Sequence, residues 1–148
     1  MQKVFIASDH GGFKAKEFAK ICLNELKFDV IDLGTFSEES CDYPDYANLL
    51  ASNLKQNPDA LGILICGTGI GISIAANRYN HIRCALCHDE NTAKLAKEHN
   101  NANVLAFGGR ILDQNTIKNI IKTFFVSKFE GGRHEKRLKK LGECNAVC

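Results

Sequence analysis

Apolar positions along this chain alternate between two periods. Short continuous runs at Val4–Ala7, Val30-Ile31-Asp32-Leu33, Leu61–Cys66, Arg83–Cys87 and Asn103–Phe107 predict strands. Between them the apolar residues recur at offsets of three and four. Phe18, Ile21, Cys22 and Leu26 predict a helix over 12–26, and Tyr46, Leu49, Leu50 and Leu54 a second one closed by Asn57-Pro58. Further helices are predicted over Ile70–Arg78 and Asn91–His99. Ile117, Ile120, Ile121, Phe124 and Phe125 form a fifth stripe with Asp113 as its N-cap. A basic helix is expected over 133–141.

Leu61–Cys66 is apolar throughout, as a strand covered on both faces of a parallel sheet must be. A β-α unit repeated five times, followed by one more helix, predicts an α/β fold. The expected form is a three-layer, doubly wound, five-stranded parallel sheet of Rossmann-like type with an extra C-terminal helix, one domain over 1–148.

Composition narrows the function. The chain has 148 residues, 45% apolar and 24% charged, which is ordinary globular usage. Lys+Arg 19 against Asp+Glu 17 gives a net +2, which argues against a nucleic-acid binder. Leu61–Cys66 is the longest apolar run, too short to span a bilayer. The N-terminus has too short an apolar core for a signal peptide, so the seven cysteines are expected as free thiols in a reducing cytoplasm. The charge is uneven: residues 128–140 carry six Lys/Arg and two Glu, a local +4. The C-terminal element can therefore meet an anion.

In doubly wound sheets, ligands bind outside the carboxyl ends of the strands. That rule selects Ser8-Asp9-His10-Gly11-Gly12, the loop after Cys66, His88-Asp89 and Gly108-Gly109-Arg110. The central feature is Cys66-Gly67-Thr68-Gly69-Ile70-Gly71, where three glycines leave amides bare at a helix N-terminus, able to face an anion. It matches neither G-x-G-x-x-G nor the P-loop, and its plain structural alternative is a tight turn. Cys66 at the lip of this loop is expected to be stabilised as a thiolate, able to act as base or nucleophile. Taken alone, it reads equally as a core cysteine.

Asp9-His10 offers acid/base or phosphate chemistry, with a helix cap as the simpler role for Asp9. His99-Asn100 ends a helix, where a histidine commonly offsets the helix dipole. Arginine is scarce, five against 14 Lys, yet two follow paired glycines: Arg110 and Arg133. Arg137 lies one turn beyond Arg133, and two guanidinium groups on one face suit a phosphate monoester. Cys84-Ala85-Leu86-Cys87-His88 matches the c-type haem string, but it lies in a predicted strand and the only Met is residue 1. Strand alternation turns Cys84 and Cys87 to opposite faces, which opposes a zinc site with Cys144 and Cys148. A thioredoxin-like pair would belong at a helix start.

Taken together, Ser8–Gly12, Asp42-Tyr43-Pro44, Cys66–Arg78, His99-Asn100, Asn103–Gly108 and Glu130-Gly131-Gly132-Arg133-His134 resemble the ribose-5-phosphate isomerase B family, which includes the galactose-6-phosphate isomerase subunits. The likeness runs from Val4 to about Leu141. It implies a cofactor-independent, metal-free aldose–ketose isomerase for ribose 5-phosphate and ribulose 5-phosphate, with allose 6-phosphate or galactose 6-phosphate as the alternative substrate. It implies Cys66 as the base, with Thr68 and the amides of Gly67, Thr68, Gly69 and Gly71 holding the enediolate oxygen. Asp9 and His99 would open the sugar ring. His10, Arg133 and Arg137 would bind phosphate, and Asn100 and Arg110 the substrate. A homodimer with a shared site is implied, with His99, Asn100 and Arg110 facing a partner's loop; pairing into tetramers stays open. A second subgroup uses a Glu at the position of Ile72, so this chain matches the Cys-base subgroup. The presence of Cys66, His99 and Asp9 together opposes a sugar-phosphate binder without catalysis.

Overall fold

The computed structural model describes residues 1–143. The strands are β1 (Lys3–Ser8), β2 (Asp29–Asp32), β3 (Leu61–Cys66), β4 (Cys84–Leu86) and β5 (Val104–Gly108). The helices are α1 (Phe13–Glu25), α2 (Tyr43–Gln56), α3 (Ile70–Ala76), α4 (Glu90–Glu98), α5 (Gln114–Val126) and α6 (Arg133–Glu143). All strand pairs are parallel, in the order β2-β1-β3-β5-β4.

Strand alternation builds the layers. Val4, Ile6, Ile63, Ile65, Leu105 and Phe107 point to one face, under α1, α4 and α5. Phe5, Ala7, Leu64, Cys66, Val104 and Ala106 point to the other, under α2 and α3. β1, β3 and β5 are buried on both faces, which is why they read as continuous apolar runs. Cys84 packs in the α2/α3 layer and Cys87 in the other, as alternation requires. Burial pushes the thiol of Cys84 up strongly and that of Cys87 to about 11. Cys22, Cys41, Cys66, Cys84 and Cys87 are free thiols, while Cys144 and Cys148 lie outside the described residues.

β4 is shorter than the sequence predicts. It is an edge strand, and Arg83 leaves the ladder to donate its backbone N–H to the Asn103 side chain at 2.7 Å. Asp113 caps α5, accepting from the Thr116 amide at 2.7 Å. Asp89 forms a capping box with Thr92 at the start of α4, so the acidic residue of His88-Asp89 serves the helix. Among the described residues no helix is long and apolar enough to cross a membrane.

Among the described residues, one charged side chain is fully enclosed. Lys16 on α1 has no exposed surface, and its ammonium donates to Asp32 and to Glu17. Lys20 donates to the same two carboxylates. Asp32 also accepts from the Gly34 amide at 2.9 Å, which ties the network to the end of β2.

Candidate active site

At the carboxyl end of β3 the chain turns sharply into α3. Gly69 makes the turn with φ +79, and a Cβ there would stand 2.6 Å from the carbonyl carbon of Phe107. The turn folds the Gly69 amide back onto Cys66, whose Sγ accepts its N–H at 3.1 Å. Cys66 is only 4% exposed, and its sulfur sits where β3 meets the glycine loop. Thr68 is exposed, and its Oγ1 accepts from the Ile70 amide at 3.2 Å. The Gly71 amide, in the first turn of α3, has no intrahelical acceptor. Gly71 lies against the ring of Tyr43, with only 2.6 Å between an added Cβ and Cζ.

Neighbouring strand ends close around this loop. Cys66 and Gly67 carbonyls accept from the amides of Gly109 at 2.9 Å and Arg110 at 3.0 Å. The Arg110 side chain lies across Gly11 and Gly67: an added Cβ would be 3.3 Å from Cζ at Gly11 and 3.4 Å from Nη1 at Gly67. Asp9, 6% exposed, caps the turn His10–Gly12 by accepting from the Gly12 amide at 3.1 Å. Its own amide donates to the Ile65 carbonyl at 3.2 Å, pinning it beside Cys66. His10 Nδ1 lies 3.2 Å from the backbone amide of Cys41 and 4.0 Å from its sulfur.

A second cluster forms at the other end of the sheet. His99 follows α4, and its ring stacks on His134 with centroids 4.3 Å apart and planes 16° apart. Glu130 Oε2 lies 3.5 Å from His134 Nε2. The Glu130 amide donates to the Glu98 carbonyl at 3.0 Å, and Gly131 and Gly132, both at positive φ, then turn the chain into α6. Burial, followed by the charges of Arg133, His99 and Arg137, holds the His134 imidazole below its ordinary pKa, and Glu130 offsets this only in part. Arg133 and Arg137 are exposed. Asn100 is exposed and lines a cavity of about 490 Å³ with Asn77, Arg83, Cys84 and Leu138. Residues 99–103 are fixed from beneath: Arg83 Nε donates to Asn101 O at 2.9 Å, and Lys97 Nζ to Ala102 O at 2.9 Å.

His99, Glu130 and His134 bring ligating atoms within 4.8 Å of one another. Their near-parallel rings aim the nitrogen lone pairs side by side rather than at one point, and two guanidinium groups oppose a cation.

The structure thus brings Cys66, Gly67, Thr68, Gly69, Gly71, Asp9, His10 and Arg110 together, and separately His99, Asn100, Arg133 and Arg137. Cys66 pairs with Gly108 at one end of β5, and Gly62 with Val104 at the other. At ~3.3 Å per residue, roughly 13 Å of sheet separates the two ends within one chain. Two placements refine this picture. Arg110 lies over its own chain's glycine loop, because its backbone continues the β3–β5 hydrogen bonding into that loop. The Gly69 amide is engaged by Cys66 rather than left to face an oxygen. Site residues given no individual role from sequence are Tyr43, Glu130 and His134; the signals for them were the Asp42-Tyr43-Pro44 string and the Gly-Gly-Arg-His segment.

A doubly wound sheet that offers a glycine-loop thiol at one end and an imidazole–guanidinium cluster at the other defines an α/β enzyme for a small anionic substrate. The family model described as Ribose/Galactose Isomerase matches residues 4–141. Ribose-5-phosphate isomerase B of Escherichia coli is 42% identical over 141 residues, 95% of each chain. The ribose 5-phosphate isomerase structure from Thermotoga maritima superposes with TM-score 0.93 at 48% identity, covering 96% of this chain and 98% of that one. The Mycoplasma genitalium ribose-5-phosphate isomerase B, solved with bound ribulose-5-phosphate, gives 0.91 at 43% identity, covering 95% and 94%. The chain belongs to the Ribose/Galactose Isomerase family.

Proposed function

We propose that this protein is an aldose–ketose isomerase interconverting ribose 5-phosphate and ribulose 5-phosphate, with Cys66 as the base. The observation that carries this reading is the Cys66 sulfur fixed at the glycine loop by the Gly69 amide at 3.1 Å. Relatives of this length and identity that carry that activity by name support the substrate.

The chemistry has two stages. In the first, the furanose opens: the C1–O4 bond breaks, His99 gives a proton to O4, and Asp9 takes the anomeric hydroxyl proton. In the second, Cys66 removes the C2 proton and charge develops on O1 as the enediolate forms; the hydroxyl proton passes from O2 to O1, and the carbon-bound proton returns at C1, leaving the carbonyl at C2. Thr68 and the amides of Gly67 and Gly71 face that oxygen, and a donor of this kind is worth about 3–4 kcal/mol in the transition state. His10, Arg133 and Arg137 hold the phosphate, and Asn100 and Arg110 the sugar, so that binding far from the reacting carbons positions them. No cofactor or metal is needed.

The reading requires a homodimer, because Cys66 and His99 lie at opposite ends of β5 in one chain. A second copy would bring its His99 end to the first copy's Cys66 loop, and dimers could pair further into tetramers. Exposed Ile70 and Ile74, one turn apart on α3 beside the glycine loop, offer an apolar patch for that contact. A cytoplasmic setting fits the free thiols.

The test is NMR of ribose 5-phosphate in heavy water. Appearance of ribulose 5-phosphate with deuterium incorporated is expected; no exchange would refute the isomerase. Faster turnover of allose 6-phosphate or galactose 6-phosphate would move the assignment to a six-carbon sugar.

A further inference from the structure

We propose that His134 is a positioning residue for His99, holding that imidazole in the orientation from which it protonates the sugar ring oxygen. The inference rests on the isomerase reading above.

A histidine just past a helix end has rotamer freedom, and a proton donor must be held near its productive geometry. Here one face of the His99 ring is covered. Its ring lies flat on His134, centroids 4.3 Å apart and planes 16° apart. The aromatic pairs formed by Phe28–Phe125, Tyr79–His81 and Phe124–Phe125 are tilted or edge-on instead. The two rings have different surroundings: His134 is 5% exposed, whereas His99 is half-buried and reaches solvent.

His134 is itself enclosed. Its Nε2 is buried without a hydrogen-bond partner and lies 3.5 Å from the Glu130 carboxylate. The Glu130 amide is tied to the Glu98 carbonyl, the residue before His99. Glu98, Glu130, His134 and His99 thus adjoin one another in turn. Burial and the flanking charges of Arg133, His99 and Arg137 disfavour a proton on His134, so the stacked partner does not repel one on His99.

The experiment compares two reactions in the assembled protein. Turnover of ribose 5-phosphate needs the ring opened. Exchange of the C1 proton of ribulose 5-phosphate, an acyclic substrate, needs the Cys66 step and no ring opening. His134→Phe keeps a flat ring, and His134→Leu keeps bulk without one. His134→Leu is expected to lower kcat for ribose 5-phosphate by tenfold or more while exchange on ribulose 5-phosphate stays within about twofold. His134→Phe is expected to retain most of the ribose 5-phosphate turnover. The inference is overturned if both reactions fall together in His134→Leu, if neither falls, or if His134→Phe is as slow as His134→Leu on ribose 5-phosphate. Wild-type protein that exchanges no proton overturns the isomerase reading itself, and this inference with it; wild-type exchange with any of the three outcomes above overturns this inference alone.

Discussion

The amide of Gly69 donates to the sulfur of Cys66 across 3.1 Å, joining the last residue of β3 to the turn that starts α3. The bond fixes the sulfur's place, and removing the thiol leaves the Gly69 amide without its acceptor while Gly69 still makes the turn. Cys66→Ala is expected to lower deuterium exchange by at least about a hundredfold. Its fold should persist, with a modestly lower melting temperature. Near-normal exchange by this variant would rule out Cys66 as the base.

Gly69→Ala should behave in the opposite way. With φ +79 and a Cβ 2.6 Å from the Phe107 backbone, the methyl adds both strain and collision. Left-handed strain alone costs about 1–3 kcal/mol. Melting at least ~5 °C lower is expected, with activity lost in parallel, and calorimetry would check it.

Asp32 gives the protein an acid-sensitive element. Burial pushes its carboxyl up, but hydrogen bonds from Lys16, Lys20 and the Gly34 amide outweigh burial and hold it below the ordinary carboxylate value. A depressed folded pKa contributes stability above the unfolded value, about 3.9, and that stability is lost as pH falls through the folded value. Asp32→Asn should flatten this part of the acid-side stability curve. Near neutrality it should cost about 3 kcal/mol, because it removes the main counter-ion of an enclosed ammonium. Denaturant titrations at several pH values would measure both effects.

Arg137 is assigned to the phosphate, which does not react. Arg137→Ala should therefore raise KM for ribose 5-phosphate by roughly ten- to a hundredfold, the size of a lost charge-assisted hydrogen bond. An unchanged KM would remove Arg137 from the phosphate site.

A shared site makes a complementation test available. Cys66→Ala and His99→Asn are each expected to be inactive alone. Random re-pairing of an equal mixture should restore about a quarter of wild-type activity, since mixed dimers hold one intact site. A mixture as dead as its parts would mean that each chain carries its own site.

Much of the fold was legible because burial on both faces leaves a direct trace. Leu61–Cys66 is predicted and observed with the same bounds, since a central strand must be apolar throughout. The predicted strand runs one residue beyond β4 at each end: the Arg83 amide turns to the Asn103 side chain, and the Cys87 amide makes a last bond to the Ala106 carbonyl of β5 as the chain leaves the edge. The glycine loop was legible from its spacing. The stack of His134 on His99 was not, because it depends on residues 35 positions apart meeting across α4 and α6. Nor was the enclosure of Lys16, since a lysine at a helix position reads as solvent-facing and its partner Asp32 comes from a different element.

Lys16 has a practical use. Its nitrogen is sealed within the folded molecule, so an amine-modifying reagent can reach it only in molecules that have opened. Surface lysines would react at once and stop reporting. The slow appearance of label on Lys16 under native conditions would then count how often this part of the sheet comes apart, without any denaturant.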